Sequence, residues 1–342
     1  MKILVTGGMG FIGSHTVIEL FNAGFEPIII DTLENSNLNV LSGLERISGK
    51  KFTFYHGDCR DKVVLNEIFD KHRPEAVIHF AAYKAVGESV EQPMRYYDNN
   101  INALLAVLEA MSAFQCNKLI FSSSCTVYGQ PDQNPVSEQA TVGNANSPYG
   151  YSKVICERIL SDLAHTQTNI SSVLLRYFNP VGAHPSAFIG ELPNGIPNNL
   201  IPYITQTGAG IRESLTIHGN DYNTFDGTCI RDFIHVVDLA TAHVKALEWA
   251  LKENKKIEVF NLGQGKGNSV LEVVHAFEKV SGVKLPYSIG PRRAGDVEQI
   301  WADVSKANAL LQWKTEKNIE DALRDAWKWQ NALAHSTEMT KS

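Results

Sequence analysis

Short apolar, β-branched runs alternate with longer stretches of helical periodicity through the first half of the chain. Ile3 to Thr6, Pro27 to Asp31, Phe52 to His56, Ala76 to Phe80, Lys118 to Ser122 and Ser172 to Arg176 read as strands. Between them, Phe11 to Ala23, Val63 to Lys71, Asn100 to Phe114 and Tyr149 to Ala164 carry apolar residues at three- and four-residue spacing and read as helices. Near-continuous apolar strands joined by helices predict a parallel sheet covered on both faces, the doubly wound α/β arrangement of Rossmann type.

The texture changes after Phe178, where Asn179 to Pro202 gathers five prolines and three glycines and reads as a long functional loop region. Beyond it the pattern predicts a helix near Leu200 to Gly208, a strand at Leu215 to His218, a helix at Val237 to Leu251 and a strand at Val259 to Leu262. Helices near Val270 to Val280 and Ile319 to Leu333 follow. The expected layout is a nucleotide-binding domain over 1–178, with returning elements near 235–263, and a smaller α/β substrate domain over 179–234 and 264–342.

Composition narrows the field of partners. Hydrophobic residues make up 44% of the 342 and charged residues 20%, an ordinary globular balance. A net charge of −6 without a basic block argues against nucleic acid. The N-terminal apolar run is too short for a secretory signal, no stretch suits a membrane span, and neither end carries a lipidation pattern. Five widely spaced cysteines, never in CxxC, suggest neither a disulfide framework nor a zinc site. A cytoplasmic location and a small-molecule site are expected.

Three motifs carry chemistry. Gly7, Gly10 and Gly13 follow the first strand at GxxGxxG spacing and open a helix, which suits a dinucleotide pyrophosphate. Asp31 closes the second strand, where a carboxylate accepts from an adenosine ribose and repels a 2′-phosphate, favouring NAD over NADP; alternatively it starts a turn. Asp58 after the third strand suits adenine, although acids such as the neighbouring Asp61 are equally common as helix caps. Ser124 ends the fifth strand, and Tyr149 and Lys153 stand four residues apart on a helix. That spacing places an ammonium beside a phenol and favours the phenolate, while Ser124 relays the proton of a reacting hydroxyl. Cys125 lacks a base nearby in sequence. His15, His79, His218 and His235 are scattered singly and read as packing or surface residues, and no metal is expected.

With these motifs the sequence resembles the extended short-chain dehydrogenase/reductase superfamily, in its nucleotide-sugar-modifying branch, and more narrowly the UDP-glucose 4-epimerase family. The resemblance spans nearly the whole chain. It rests on Thr6-Gly7-Gly8-x-Gly10-x-x-Gly13, His79-Phe80-Ala81-Ala82 with Lys84, Ser122-Ser123-Ser124-x-Thr126-Val127-Tyr128-Gly129 and Pro148-Tyr149-Gly150-Tyr151-Ser152-Lys153. Arg176-Tyr177-Phe178-Asn179, Asn199-Leu200-x-Pro202, Asp226 to His235 and Arg292-Arg293-x-Gly295-Asp296 resemble its substrate-side motifs.

The resemblance implies tightly bound NAD held by Gly7, Gly10, Phe11, Ile12, Gly13, Asp31, Asp58, Cys59, Phe80, Ala81, Lys84, Asn99, Ser122, Tyr149, Lys153, Tyr177 and Phe178. It implies substrate contacts, with UDP-glucose or UDP-galactose, from Lys84, Ser124, Thr126, Tyr149, Asn179, Asn199, Leu200, Arg231, Arg293, Asp296 and Ile300. Arg231 could instead pair with Asp232, and adjacency does not say which of Arg292 and Arg293 faces phosphate. The implied reaction is 4-epimerisation through a 4-ketopyranose, with Ser124, Tyr149 and Lys153 catalytic and Ile300 limiting the sugar, so that N-acetylated sugars react weakly. The alternatives are a nucleotide-sugar 4,6-dehydratase, against which Cys125 and Thr126 stand where an Asp-Glu pair is typical, and a non-catalytic NAD-binding protein. A homodimer through the Asn100 to Phe114 and Tyr149 to Ala164 helices is also implied.

Overall fold

The computed structural model describes residues 1–166, 169–293 and 296–339, with side chains through 334. Six strands of the first half, β1 (Lys2–Thr6), β2 (Glu26–Asp31), β3 (Thr53–His56), β4 (Ala76–His79), β5 (Lys118–Ser122) and β6 (Ser171–Tyr177), alternate with helices. These are α1 (Phe11–Asn22), α2 (Asn39–Ser48), α3 (Lys62–His72), α4 (Val86–Glu91), α5 (Pro93–Ala113) and α6 (Pro148–Ala164). After the short β7 (Asn179–Val181) come α7 (Leu200–Gly208), β8 (Leu215–His218), β9 (Ile230–Arg231), β10 (Phe233–His235), α8 (Val236–Lys252) and β11 (Ile257–Leu262). The chain closes with β12 (Asn268–Ser269), α9 (Val270–Ser281), β13 (Tyr287–Gly290), β14 (Gln299–Ile300), α10 (Ser305–Leu310) and α11 (Ile319–Met339).

One seven-stranded sheet in the order β11-β6-β5-β4-β1-β2-β3 forms the frame. All of its pairings are parallel. Ile3, Leu4 and Val5 are wholly buried because α1 and α8 cover one face while α3, α5 and α6 cover the other. The winding reverses between β1 and β4, so the segments leaving their C-terminal ends diverge and open a crevice there. A third apolar cluster joins α7, α9 and α11 to β8 and β10. A fourth, containing Tyr128, Phe178, Ile300 and Ala302, lies between the two groups of elements.

Local signals fix the helix starts. Asp61 accepts from the Val63 and Val64 amides at 2.8 and 3.4 Å and caps α3. Ser147 caps α6 ahead of Pro148, and Ser269 with Glu272 forms a capping box on α9. The predicted strands and helices of the sheet are present, and β11 returns to its edge beside β6.

Several elements differ from the sequence expectation. Helix α2 has no counterpart in that expectation, although Val40, Leu41, Leu44 and Ile47 recur at helical spacing. Helix α5 starts at Pro93 rather than Asn100, through a polar first turn without apolar periodicity. The loop expected over Asn179 to Pro202 holds β7, which pairs with β10, and a bridge between Ala183 and Gly190. Two-residue strands such as β9, β12 and β14 are too short to show alternation and depend on tertiary pairing.

Candidate active site

The crevice at the sheet's switch point is the mouth of a cleft of about 740 Å³. At one end, Gly7 takes a left-handed φ of 69°, and a Cβ at Gly13 would stand 2.2 Å from the Gly7 carbonyl oxygen. Only glycine lets this loop close on itself and bring α1's N-terminus to the cleft without side chains in between. The helix has Gly10 at its cap, with no side-chain hydrogen bond there. This cradle fits a dinucleotide pyrophosphate, whose oxygens take backbone N–H groups.

Asp31 lines this end and serves the turn as well: its carboxylate accepts from the Met9 amide at 3.0 Å and the Leu33 amide at 2.9 Å. Burial raises its pKa. Asp58 also lines the cleft, where Arg60 donates to it from Nε at 2.9 Å and Nη2 at 2.7 Å. Burial opposes its charge, but these Arg60 hydrogen bonds outweigh it and keep Asp58 below the usual carboxylate range. Cys59, Phe80, Ala81, Lys84 and Asn99 complete the wall.

At the floor, burial, then the neighbouring Tyr177, push the Tyr149 phenol's pKa well up, with Ser124 beside it opposing the shift. Lys153 Nζ donates to the Ser122 carbonyl at 2.8 Å and lies 4.9 Å from the centre of the Phe121 ring. Burial pulls its pKa down to about 8. Lys153 turns toward β5 because a buried ammonium needs an acceptor, and the Ser122 carbonyl supplies one. The Ser122 hydroxyl donates to the Tyr177 hydroxyl at 3.1 Å. Ser124 Oγ accepts from the Thr126 amide at 3.2 Å, while Thr126 Oγ1 is buried without a partner. Beneath them, the Glu157 carboxylate accepts from Ser123 Oγ at 2.5 Å and from Arg176 Nη2 at 2.6 Å.

The far end of the cleft gathers Asn179, Asn199, Arg231, Arg293, Asp296 and Ile300. Arg231 Nη2 stands 3.5 Å from Asp296 Oδ1. Its alternative partner Asp232 is instead wholly buried and accepts from the backbone amides of Gln264, Gly265 and Ala302 at 2.7, 3.1 and 3.1 Å. Arg292 donates from Nε to Asp221 at 2.8 Å and covers the Tyr222 ring, which leaves Arg293 as the arginine of this pair at the cleft wall. Gly295 of that motif lies outside the described residues.

Four of the expected residues do not line the cleft. Ser122 and Ser124 sit behind the wall, the Ser122 hydroxyl donating to Tyr177 and its carbonyl accepting from Lys153. Phe178 is in the fourth apolar cluster, and Leu200 packs against the third, because the alternation of β6 and the apolar face of α7 turn both side chains inward. Sequence reading missed Glu191, which lines the cleft between Lys84 and Asn199, and Glu34, which receives the Tyr83 hydroxyl at 2.5 Å. A lone acid in a proline- and glycine-rich loop offers no spacing by which to find it.

Outside this chemistry, His15, His79 and His235 are buried and His218 is exposed. Burial pushes the Cys125 thiol up to about 12, which removes its nucleophilic form at neutral pH. Among the described residues there is no group of three or more His, Cys, Asp or Glu able to hold a metal ion, and no helix long and apolar enough to cross a membrane.

Comparison with known proteins places this geometry. Residues 4–326 match the family described as GDP-mannose 4,6 dehydratase. The chain is 51% identical over 333 residues to the UDP-glucose 4-epimerase of Bacillus subtilis (strain 168), covering 97% of each. Among solved structures, UDP-glucose 4-epimerase from Stenotrophomonas maltophila, with bound NAD and formylated UDP-arabinopyranose, superposes with a TM-score of 0.96 at 46% identity over 98% of this chain and 99% of that one. The enzyme from Bifidobacterium longum, in complex with NAD⁺ and UDP, gives 0.94 at 46% identity over 97% and 98%.

Proposed function

The chain belongs to the UDP-glucose 4-epimerases of the extended short-chain dehydrogenase/reductase superfamily, and on that premise we propose how its cleft works on a UDP-hexose. The reaction is NAD-dependent interconversion of UDP-galactose and UDP-glucose. Bound NAD would supply a hydride acceptor and donor for C4 of the sugar, and the positive charge of its oxidised ring would offset the burial that raises Tyr149.

The chain's own residues do the rest. Gly7 to Gly13 and α1 hold the pyrophosphate of the dinucleotide, with Asp31 toward its adenosine ribose and Lys153 beside the reacting end. Tyr149 accepts the C4 hydroxyl proton and later returns it, with Ser124 holding the phenol in line. Arg231, Arg293, Asp296, Asn179 and Asn199 anchor the UDP end, so the sugar can turn over without leaving. The observation that carries this reading is the convergence of Tyr149, Lys153 and the arginine end on one cleft. The dehydratase alternative lacks support, since Cys125 and Thr126 follow Ser124 where elimination needs an acid–base pair.

The finer assignments rest on the same reading. The dinucleotide is held by 1–178 with 235–263 and the UDP-sugar by the remaining segments. The molecule is a homodimer through α5 and α6, whose Leu105 and Tyr151 remain exposed in the single chain, and it works in the cytoplasm. N-acetylated UDP-sugars react weakly. The test is incubation of purified protein with UDP-galactose and no added NAD, followed by separation of the nucleotide sugars. UDP-glucose is expected; accumulation of a dehydrated 4-keto-6-deoxy sugar overturns the reading.

A further inference from the structure

Glu191 lies between the two ends of the cleft. Its Oε1 accepts from Asn199 Nδ2 at 2.6 Å and from Lys84 Nζ at 3.2 Å. Asn199 begins α7 in the substrate half, whereas Lys84 follows β4 in the cofactor half. The carboxylate is itself held: its side chain is only 10% exposed, and its backbone carbonyl accepts from Trp329 Nε1 at 3.0 Å. Three residues on, Asn194 Nδ2 donates to the Glu34 carbonyl at 3.1 Å, so the segment is tied to the loop after β2 as well.

An acid beside two sites for phosphorylated ligands is unfavourable by itself, because it repels the anions those sites take. It is compensated by the Lys84 charge and by the order it imposes. Lys84 has a long flexible stem and an exposed side chain, so an unrestrained ammonium spends little time in one place. Asn199 has an amide whose orientation is set by what its nitrogen donates to.

We propose that Glu191 is a positioning residue that joins Lys84 of the cofactor half to Asn199 of the substrate half, so that nucleotide binding and NAD retention support each other. The proposal rests on the functional reading above for which ligand occupies which half. The coupling is reciprocal: UDP that fixes Asn199 fixes Glu191 and with it Lys84, and the reverse holds equally.

The experiment follows UDP affinity by titration and NAD release into a trapping dehydrogenase, with and without UDP, for the NAD-bound wild type, Glu191→Ala and Glu191→Gln. Conversion of UDP-galactose by the wild type is assayed separately, so failure of the functional reading shows there and leaves the binding readouts standing. Glu191→Ala is expected to weaken UDP by roughly tenfold, as for loss of a charge-assisted hydrogen bond. It should raise KM with kcat within about twofold, and abolish the slowing of NAD release by UDP expected of the wild type. Glu191→Gln keeps an acceptor for Asn199 and loses the charge facing Lys84, so it should recover UDP affinity but not NAD retention. Double substitution of Glu191 and Asn199 by Ala should be less than additive for UDP. UDP affinity and NAD release within twofold of wild type in Glu191→Ala, tighter UDP binding, or a persisting UDP effect on NAD release overturns the proposal. A lowered Tm with both ligand readouts unchanged overturns it too, by leaving Glu191 a purely structural role.

Discussion

Lys153 Nζ donates to the Ser122 carbonyl at 2.8 Å, although Tyr149 and Lys153 stand one turn apart on α6. On the proposed function, the lysine therefore assists the phenol through its charge rather than through a shared proton. Tyr149→Phe keeps the ring and loses the base, and kcat should fall by roughly 10²- to 10⁴-fold, the usual contribution of a positioned acid–base group. Steady-state assay with UDP-galactose measures it. Activity within a few-fold of wild type would assign the base elsewhere.

The same lysine is a stability cost. Its folded pKa, about 8, is below the ordinary 10.5, so between those values the unfolded chain binds more protons and stability rises with pH. Below about 8 the penalty is fully present, on the order of 3 kcal/mol. Lys153→Met should therefore stabilise the NAD-free protein at pH 7 while abolishing turnover, with a gain that shrinks toward pH 10.5. Urea unfolding of both NAD-free proteins at the two pH values measures it; a gain that grows with pH contradicts the assignment.

Glu157 and Arg176 form a buried pair beneath Ser123, with Nε donating to both carboxylate oxygens at 2.9 and 3.2 Å. Arg176 Nη1 also donates to the Tyr128 hydroxyl at 3.0 Å. Glu157→Ala leaves a buried guanidinium without its counter-ion and should cost about 3 to 5 kcal/mol. The urea midpoint reports it. A loss below 1 kcal/mol would mean that water or the Glu138 carbonyl, already 3.2 Å from Nη1, replaces the carboxylate.

What was legible in the sequence follows from range. The sheet was readable because strands such as Ile3 to Val5 are buried on both faces, and that requirement is written in consecutive residues. Gly7 and Gly13 were readable because their constraint is backbone geometry within one loop. The partners of Arg231 and Lys153 were not, since Asp296 and the Ser122 carbonyl reach them only through the folded chain. Phe178 shows the same limit: Tyr177 and Asn179 beside it line the cleft, while its own side chain is buried in the fourth cluster.

Asp31 holds its turn by accepting from the Met9 and Leu33 amides, and the proposed function also sets it toward the adenosine ribose, so a cofactor switch disturbs both. Asp31→Ala with Thr32→Arg removes the repulsion of a 2′-phosphate and supplies a guanidinium for it, but frees the Met9 and Leu33 amides. NAD binding should weaken and NADP binding strengthen, with a lowered Tm from the loosened turn. Titration of the stripped protein with each cofactor measures it. An unchanged preference would confine Asp31 to the turn.

On the proposed function, Ile300 is expected to limit how large a sugar the cleft admits. It ends β14 in register with Arg231 of β9, so a residue of the phosphate-binding end and one of the sugar end are neighbours on adjacent strands. Only 4% exposed, it packs in the cluster with Tyr128, Phe178 and Ala302 and still forms part of the cleft wall. Its β-branched side chain is stiff at χ1 and held on the core side, so it has little room to swing from an added 2-acetamido group. Overpacking of that kind costs about 1 to 3 kcal/mol, very roughly 5- to 150-fold in efficiency. UDP-GalNAc should therefore react with a kcat/KM lower than that of UDP-galactose by a factor in that range. Ile300→Ala should raise the ratio of N-acetylated to plain sugar and, by leaving a cavity in the cluster, lower stability by about 2 to 5 kcal/mol. Ile300→Tyr should lower the ratio. The measurement is kcat/KM for both sugars in the three proteins. A ratio that stays level while stability falls in Ile300→Ala would leave Ile300 a role in the core alone.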